Sequence, residues 1–348
     1  MTDPTASDLE NGIGRFGEKA DWQRLPLYGS FYGLSEAPFD LTPNPRFLFL
    51  TARQREVLSN LRYALSTSKG FTLILGEAGT GKTTLVRAAL EGIRDTPSRY
   101  VLVNNPTLDR REFYEFLARA FGLSAAAATS KTRFLQELQE DVEAHFAAGG
   151  LTGLIVDEAQ SMPHELLEEI RLLGNIETTT TKLLNVVLCG QPELAERLNE
   201  STLRQLKQRV ALRCELRPLT LAETASYISG RLRIAGGSPS EIFTRDAVVA
   251  VFNGSRGIPR TINVICDNAL IGGFAEQIKP VPSETVEDVC RDFDLGGDKV
   301  VAAPPDDAVP SRSPADDLAP EAEPPTTDQK RSMFETPAPA KRRFSFFS

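Results

Sequence analysis

Residues 71–85 read FTLILGEAGTGKTTL, and the order of residue types in this stretch decides the fold. Residues 71–75 are a short apolar run of strand length. Gly76, Glu77, Ala78, Gly79, Thr80 and Gly81 follow as a turn with glycine where the backbone must bend tightly. Lys82, Thr83 and Thr84 then open a segment with helical spacing at Leu85, Val86, Ala89 and Leu90. Strand, glycine-rich turn, Lys-Thr and helix together match the phosphate-binding pattern G-x-x-x-x-G-K-[ST] in the context it requires. Glycines let main-chain N–H groups close around phosphate oxygens, and the helix N-terminus adds partial positive charge. Lys82 is expected at the β- and γ-phosphates of ATP, and Thr83 at Mg²⁺.

Outward from this stretch, strand and helix patterns alternate. Strands are predicted at 100–103, 154–156, 183–189 and 210–216. Helices are predicted at 51–65, 110–121, 134–146 and 163–173. Thr51 and Gln54 read as a capping box for the first of these, and Ser161 as the cap of the last. In the helix at 110–121 the expected apolar stripe is Phe113, Phe116 and Leu117. In the last strand Val210, Leu212, Cys214 and Leu216 are expected on one face and Arg213 and Glu215 on the other. The alternation predicts an α/β fold with a five-stranded parallel sheet covered by helices on both faces. After Pro218 no strand pattern follows. Thr220 and Glu223 form another capping box, and helices fit at 221–235, 245–253, 259–274 and 283–293, an all-helical unit. The expected organisation is a flexible arm at 1–24, an α/β core at 25–218, the helical unit at 219–295, and a Pro/Ala/Asp-rich disordered tail at 296–348. The tail ends in KRRFSFFS, either an uninformative end or a docking peptide for a partner or an anionic surface.

Composition narrows the function classes. The 348 residues carry a net charge of -8, which argues against a dominant nucleic-acid surface. Cys189, Cys214, Cys266 and Cys290 lack paired metal spacing, and His145 and His164 stand apart from them. Buried, reduced thiols are expected rather than a zinc site. No apolar run reaches the length of a membrane span, and MTDPTASDLENG is not a secretory signal, so the cytoplasm is the expected compartment.

The apolar run LIV ends at Asp157-Glu158. In the company of a phosphate loop, such a pair suits a Mg²⁺-associated carboxylate followed by a carboxylate that orients and deprotonates water. The next strand ends at Cys189-Gly190-Gln191, so Gln191 is either a water-positioning amide beside the γ-phosphate or an ordinary loop residue. Arg204, Arg209 and Arg213 form a cluster. Arg209, at a helix-to-strand junction, either projects to a neighbouring subunit or is a plain surface arginine. Arg260 follows Gly257-Ile258-Pro259 at a helix start, where it either reaches the phosphates or makes a structural ion pair.

The runs FYGLSEAPFDLTPNPRFLFLTARQREVLSNLRYAL, GFTLILGEAGTGKTT, LIVDEAQ, KLLNVVLCGQPEL and QRVALRCELRPL together resemble the AAA+ ATPase domain of the general secretion pathway protein A type. Related ATPases accompany pilus biogenesis, exosortase and exopolysaccharide systems, and transposition. The resemblance covers about residues 28–293 and implies a five-stranded AAA+ core with a helical lid. It assigns Gln191 to the sensor-1 position, Arg209 to the arginine-finger position and Arg260 to the sensor-2 position. It also implies that Phe39 and Pro43 line the adenine pocket. Secretion members continue into a membrane span and a peptidoglycan-binding domain, patterns that do not occur here. The resemblance implies ATP hydrolysis, Mg²⁺, a homo-oligomer and a protein partner in secretion or envelope assembly. A nucleotide-gated binding module with little turnover and a DNA-associated transposition helper are the alternatives.

Overall fold

The computed structural model describes residues 26–42, 44–93, 97–104 and 107–295. The expected arm, the expected tail with KRRFSFFS, and Pro43 lie outside the described residues. The strands are β1 (Phe71–Gly76), β2 (Ser98–Val103), β3 (Leu151–Val156), β4 (Leu184–Gly190) and β5 (Val210–Leu216). They form one parallel sheet in the order β2-β3-β4-β1-β5. Every residue of β1 and β4 is buried, as continuous apolar strands covered on both faces must be.

Side chains alternate between two apolar layers. Phe71, Leu73 and Leu75 of β1 point to one side, where α3 (Arg110–Phe121), α4 (Lys131–Ala147) and α5 (His164–Leu173) supply Phe113, Leu117, Phe134, Leu138, Leu166 and Ile170. Ile74 points to the other side, against Leu61 and Leu65 of α1 (Ala52–Ser66) and Leu85 and Val86 of α2 (Lys82–Glu91). Three local expectations need correction. Phe116 is 37% exposed, and Tyr114 takes its place in the α3 stripe, because 113, 114, 117, 118 and 121 share the buried arc. Ser161 caps nothing. It ends a 3-10 turn, Ala159–Ser161, and α5 starts from Pro163 without a side-chain cap. Val210 leaves the face of Leu212, Cys214 and Leu216, because the β1–β5 register skips Ala211. This bulge sends Val210 to the layer of Phe71 instead.

Beyond Leu216 come α6 (Leu221–Ile234), α7 (Arg245–Ser255), α8 (Pro259–Ala275) and α9 (Ser283–Asp292). The capping boxes Thr51–Gln54 and Thr220–Glu223 both form, and Asp109–Glu112 makes a further one at α3. The helical unit has its own core of Tyr227, Leu232, Val251, Ile265 and Leu270. Residues of the preceding segment, Tyr28, Tyr32, Phe39 and Phe47, are buried in that same core. The segment before α1 therefore packs on the helical unit rather than on the sheet. All four cysteines are buried and unpaired. Among the described residues no helix is long and apolar enough to cross a membrane.

Candidate nucleotide site

Because the strands are parallel, the loops after β1, β3 and β4 leave the same edge of the sheet, where α/β folds bind ligands. Strand β4 lies between β1 and β3. The phosphate loop and Asp157-Glu158 are thus one strand apart, with Gln191 at the end of the strand between them.

Gly79 and Gly81 adopt φ of 81° and 95°, values that favour glycine. Gly79 through Leu85 line a cleft of about 410 Å³, while Gly76, Glu77 and Ala78 form the stem of the loop. Lys82 is 5% exposed, and its Nζ donates to the carbonyls of Gly76 at 2.8 Å and Glu77 at 3.1 Å. Thr80 Oγ1 donates to the Glu77 carbonyl at 2.8 Å, bracing the turn. Thr83 Oγ1 donates to Asp157 Oδ2 at 2.5 Å, so the two expected Mg²⁺ groups meet directly. An alcohol and a carboxylate side by side next to a phosphate loop are hard oxygen donors of the kind Mg²⁺ takes, and the donor set fits that ion. Asp157 Oδ1 accepts from the Glu158 N–H at 3.0 Å. Below them, burial and then the Asp157 charge push the Cys189 thiol far above its ordinary range, and it serves as neutral packing.

Glu158 also lines the cleft. It has φ of 50°, in the left-handed region that non-glycine residues seldom enter. Its Oε2 accepts from Gln191 Nε2 at 3.4 Å and from Gln160 Nε2 at 2.6 Å. Gln191 thus reaches the carboxylate of Glu158, a contact the sequence did not predict, and Gln160 is an additional member that sequence reasoning missed. The only sequence signal for it was its place two residues after Glu158.

Arg260, exposed at the start of α8, lines the same cleft as Lys82 and Glu158. Its N–H donates to the Gly79 carbonyl at 3.2 Å, so the helical unit touches the phosphate loop through backbone as well as side chain. Arg209 does not line the cleft. It is half-buried, and its Nη1 donates to the Arg171 carbonyl at 3.2 Å. Arg204 and Arg213 are exposed.

The far wall of the cleft differs from the expectation. Phe39 does not line it, being buried against Phe243 with ring centroids 6.5 Å apart. The aromatic lining is Phe47, Phe49 and Tyr227. Arg231, 8% exposed, lies over the rings of Phe47 and Tyr227, and its Nε donates to the Pro38 carbonyl at 2.5 Å. Tyr227 OH donates to Asn263 Oδ1 at 2.8 Å. Tyr227 and Arg231 stand at i and i+4 on α6, one face of a helix. Nothing local in the sequence says that this face meets the cleft.

A five-stranded parallel sheet of this order, with a phosphate loop, a Thr–Asp contact and a helical unit against the loop, defines a P-loop NTPase of the AAA+ class. The AAA domain family matches residues 65–198. General secretion pathway protein A of Aeromonas hydrophila is 41% identical over 250 residues, 72% of this chain and 45% of that protein. The chain is similar to the AAA+ domain of general secretion pathway protein A, and it spans under half the length of the curated relative it matches. Among solved structures, the Aeropyrum pernix ORC2 protein is similar with a TM-score of 0.57 at 16% identity, over 75% of this chain and 72% of that one. Drosophila ORC bound to DNA is similar with a TM-score of 0.57 at 19% identity, over 84% and 70% of the two chains. At such identities the likeness is one of fold alone.

Proposed function

We propose that the chain hydrolyses ATP and uses the cycle to drive or switch the assembly of a protein complex in secretion or cell-envelope biogenesis. The observation that carries the hydrolytic reading is the placement of Glu158 on the cleft, one residue beyond the Thr83–Asp157 contact. In this reading the N–H groups of residues 79–83 and the α2 N-terminus hold the phosphates. Lys82 exchanges its two carbonyl partners for phosphate oxygens. Thr83 and Asp157 would hold Mg²⁺, which when bound offsets charge on the β- and γ-phosphates. Glu158 takes the proton of the attacking water, and Gln191 and Arg260 position groups around the γ-phosphate. Adenine lies toward Phe47, Phe49 and Tyr227, in place of the Phe39 wall.

The likeness to the Aeromonas protein supports a secretion-related role. A homo-oligomer is part of the proposal, because Arg209 precedes β5 while the phosphate loop follows β1. Phe71 pairs with Val210, so the length of a strand, roughly 20 Å, separates Arg209 from the phosphates of its own subunit.

The deciding experiment pairs nucleotide titration with phosphate release. Glu158→Gln is expected to bind ATP normally and to lose turnover, since an amide keeps the shape but cannot act as a base. Turnover surviving in that variant overturns the assigned role. Binding without turnover in the unaltered chain establishes the nucleotide-gated module instead.

A further inference from the structure

We propose that Gln160 is a positioning residue that fixes which oxygen of Glu158 meets the attacking water; the role rests on the ATPase reading above. An amide can donate and accept at once, and Gln160 uses both ends. Its Nε2 donates to Glu158 Oε2 at 2.6 Å, and its Oε1 accepts from the Gln191 backbone N–H at 3.1 Å. Gln191 Nε2 approaches the same carboxylate oxygen at 3.4 Å. Oε2 is thus held by two N–H donors, leaving Oε1 for the water.

The Gln160 backbone is itself held in place. Its main-chain carbonyl accepts from Arg197 Nη1, which also donates to the Met162 carbonyl at 2.9 Å. The turn Ala159–Ser161 is thereby tied to the helix Pro192–Arg197 that follows β4. Gly190 leaves room for the arrangement, since a Cβ there would come within 3.1 Å of Gln160 Oε1. A base held by fixed donors needs no reorganisation at the moment of proton transfer, and one without them samples several rotamers. Because Gln160 acts through Glu158 and does not line the cleft, its loss is expected to lower turnover and to spare nucleotide affinity.

The test measures kcat as a function of pH, nucleotide Kd and Tm for the unaltered chain, Gln160→Leu and Gln160→Glu. In Gln160→Leu the expected result is a fall in kcat on the order of 10- to 100-fold, the usual effect of losing an outer partner of a reacting group. Kd is expected to stay within about twofold, because no ligand contact is removed. Gln160→Glu is nearly isosteric and covers the case in which the leucine variant fails to fold. Ionised, the introduced carboxyl repels Glu158 and cannot donate; protonated, it donates as the amide does. Two carboxyls sharing one proton titrate as a pair, so the kcat profile of this variant is expected to move to lower pH. Unchanged kcat and pH profile in both variants, beside an active unaltered chain, overturn the role of Gln160 alone. So does a loss of affinity matching the loss of turnover. Absence of turnover in the unaltered chain overturns the ATPase reading and the role of Gln160 together.

Discussion

Lys82 is nearly buried, and its ammonium is held by two carbonyls of the loop it serves. Neither partner is a carboxylate, so the cation is available to a phosphate at the cost of two neutral hydrogen bonds. Lys82→Ala is expected to weaken ATP binding by about 2–3 kcal/mol, on the order of 100-fold, the scale of a charge-assisted contact. Fluorescent-nucleotide titration measures this, and unchanged affinity would remove Lys82 from its role. Gly79 is constrained twice, by φ of 81° and by Arg260, whose Cβ would lie 2.7 Å from an added Cβ. Gly79→Ala is expected to cost about 1–3 kcal/mol in stability through a strained backbone and to displace the start of α8. A thermal melt beside a nucleotide titration checks it; a variant that melts and binds like the parent would show that the loop and α8 yield freely.

At the scale of elements, Glu169 ties three helices together. It is 2% exposed on α5, accepts from Lys131 of α4 at 2.6 Å and from Tyr114 of α3, and pairs with Arg110 at 3.0 Å. Burial opposes its ionisation, but the hydrogen bonds from Lys131 and Tyr114 and the charges of Lys131 and Arg110 outweigh burial and hold its carboxyl below the usual range. A depressed carboxylate stabilises the fold above its unfolded pKa, and that contribution fades as pH falls through the folded value. Lys131 and Arg110 are about half exposed, so water recovers part of what they lose when the carboxylate is removed. Glu169→Ala is therefore expected to cost about 2 kcal/mol at neutral pH, less than the loss of a fully buried pair, and to shrink toward acid. Denaturant melts at two pH values test this, and an equal loss at both would contradict the electrostatic account.

At the scale of the molecule, the separation of Arg209 from its own phosphate loop makes assembly testable. An arginine supplied by a neighbour is worth on the order of 10³ to 10⁵ in rate in P-loop NTPases. ATP turnover is expected to rise more than linearly with protein concentration until oligomers saturate. Arg209→Ala is expected to bind ATP and turn it over poorly. Mixed with Glu158→Gln, it is expected to regain partial activity, because one variant keeps its site and the other keeps its finger. Two inactive variants that co-assemble without recovery would move attention to Arg204 and Arg213.

The sequence by itself determined the features whose physics is local. The phosphate loop is readable because glycine, lysine and threonine must stand at fixed offsets between a strand and a helix. The boxes at Thr51 and Thr220 are readable because a cap and its partner are three residues apart. The tertiary structure alone decided that β4 separates β1 from β3, that Phe47 rather than Phe39 faces the cleft, that Val210 changes layer at a bulge, and that Gln160 joins Glu158 to Gln191. Each depends on contacts between residues far apart in the chain. Parallel pairing and packing across a cleft fix those contacts, and they leave no periodicity in the sequence.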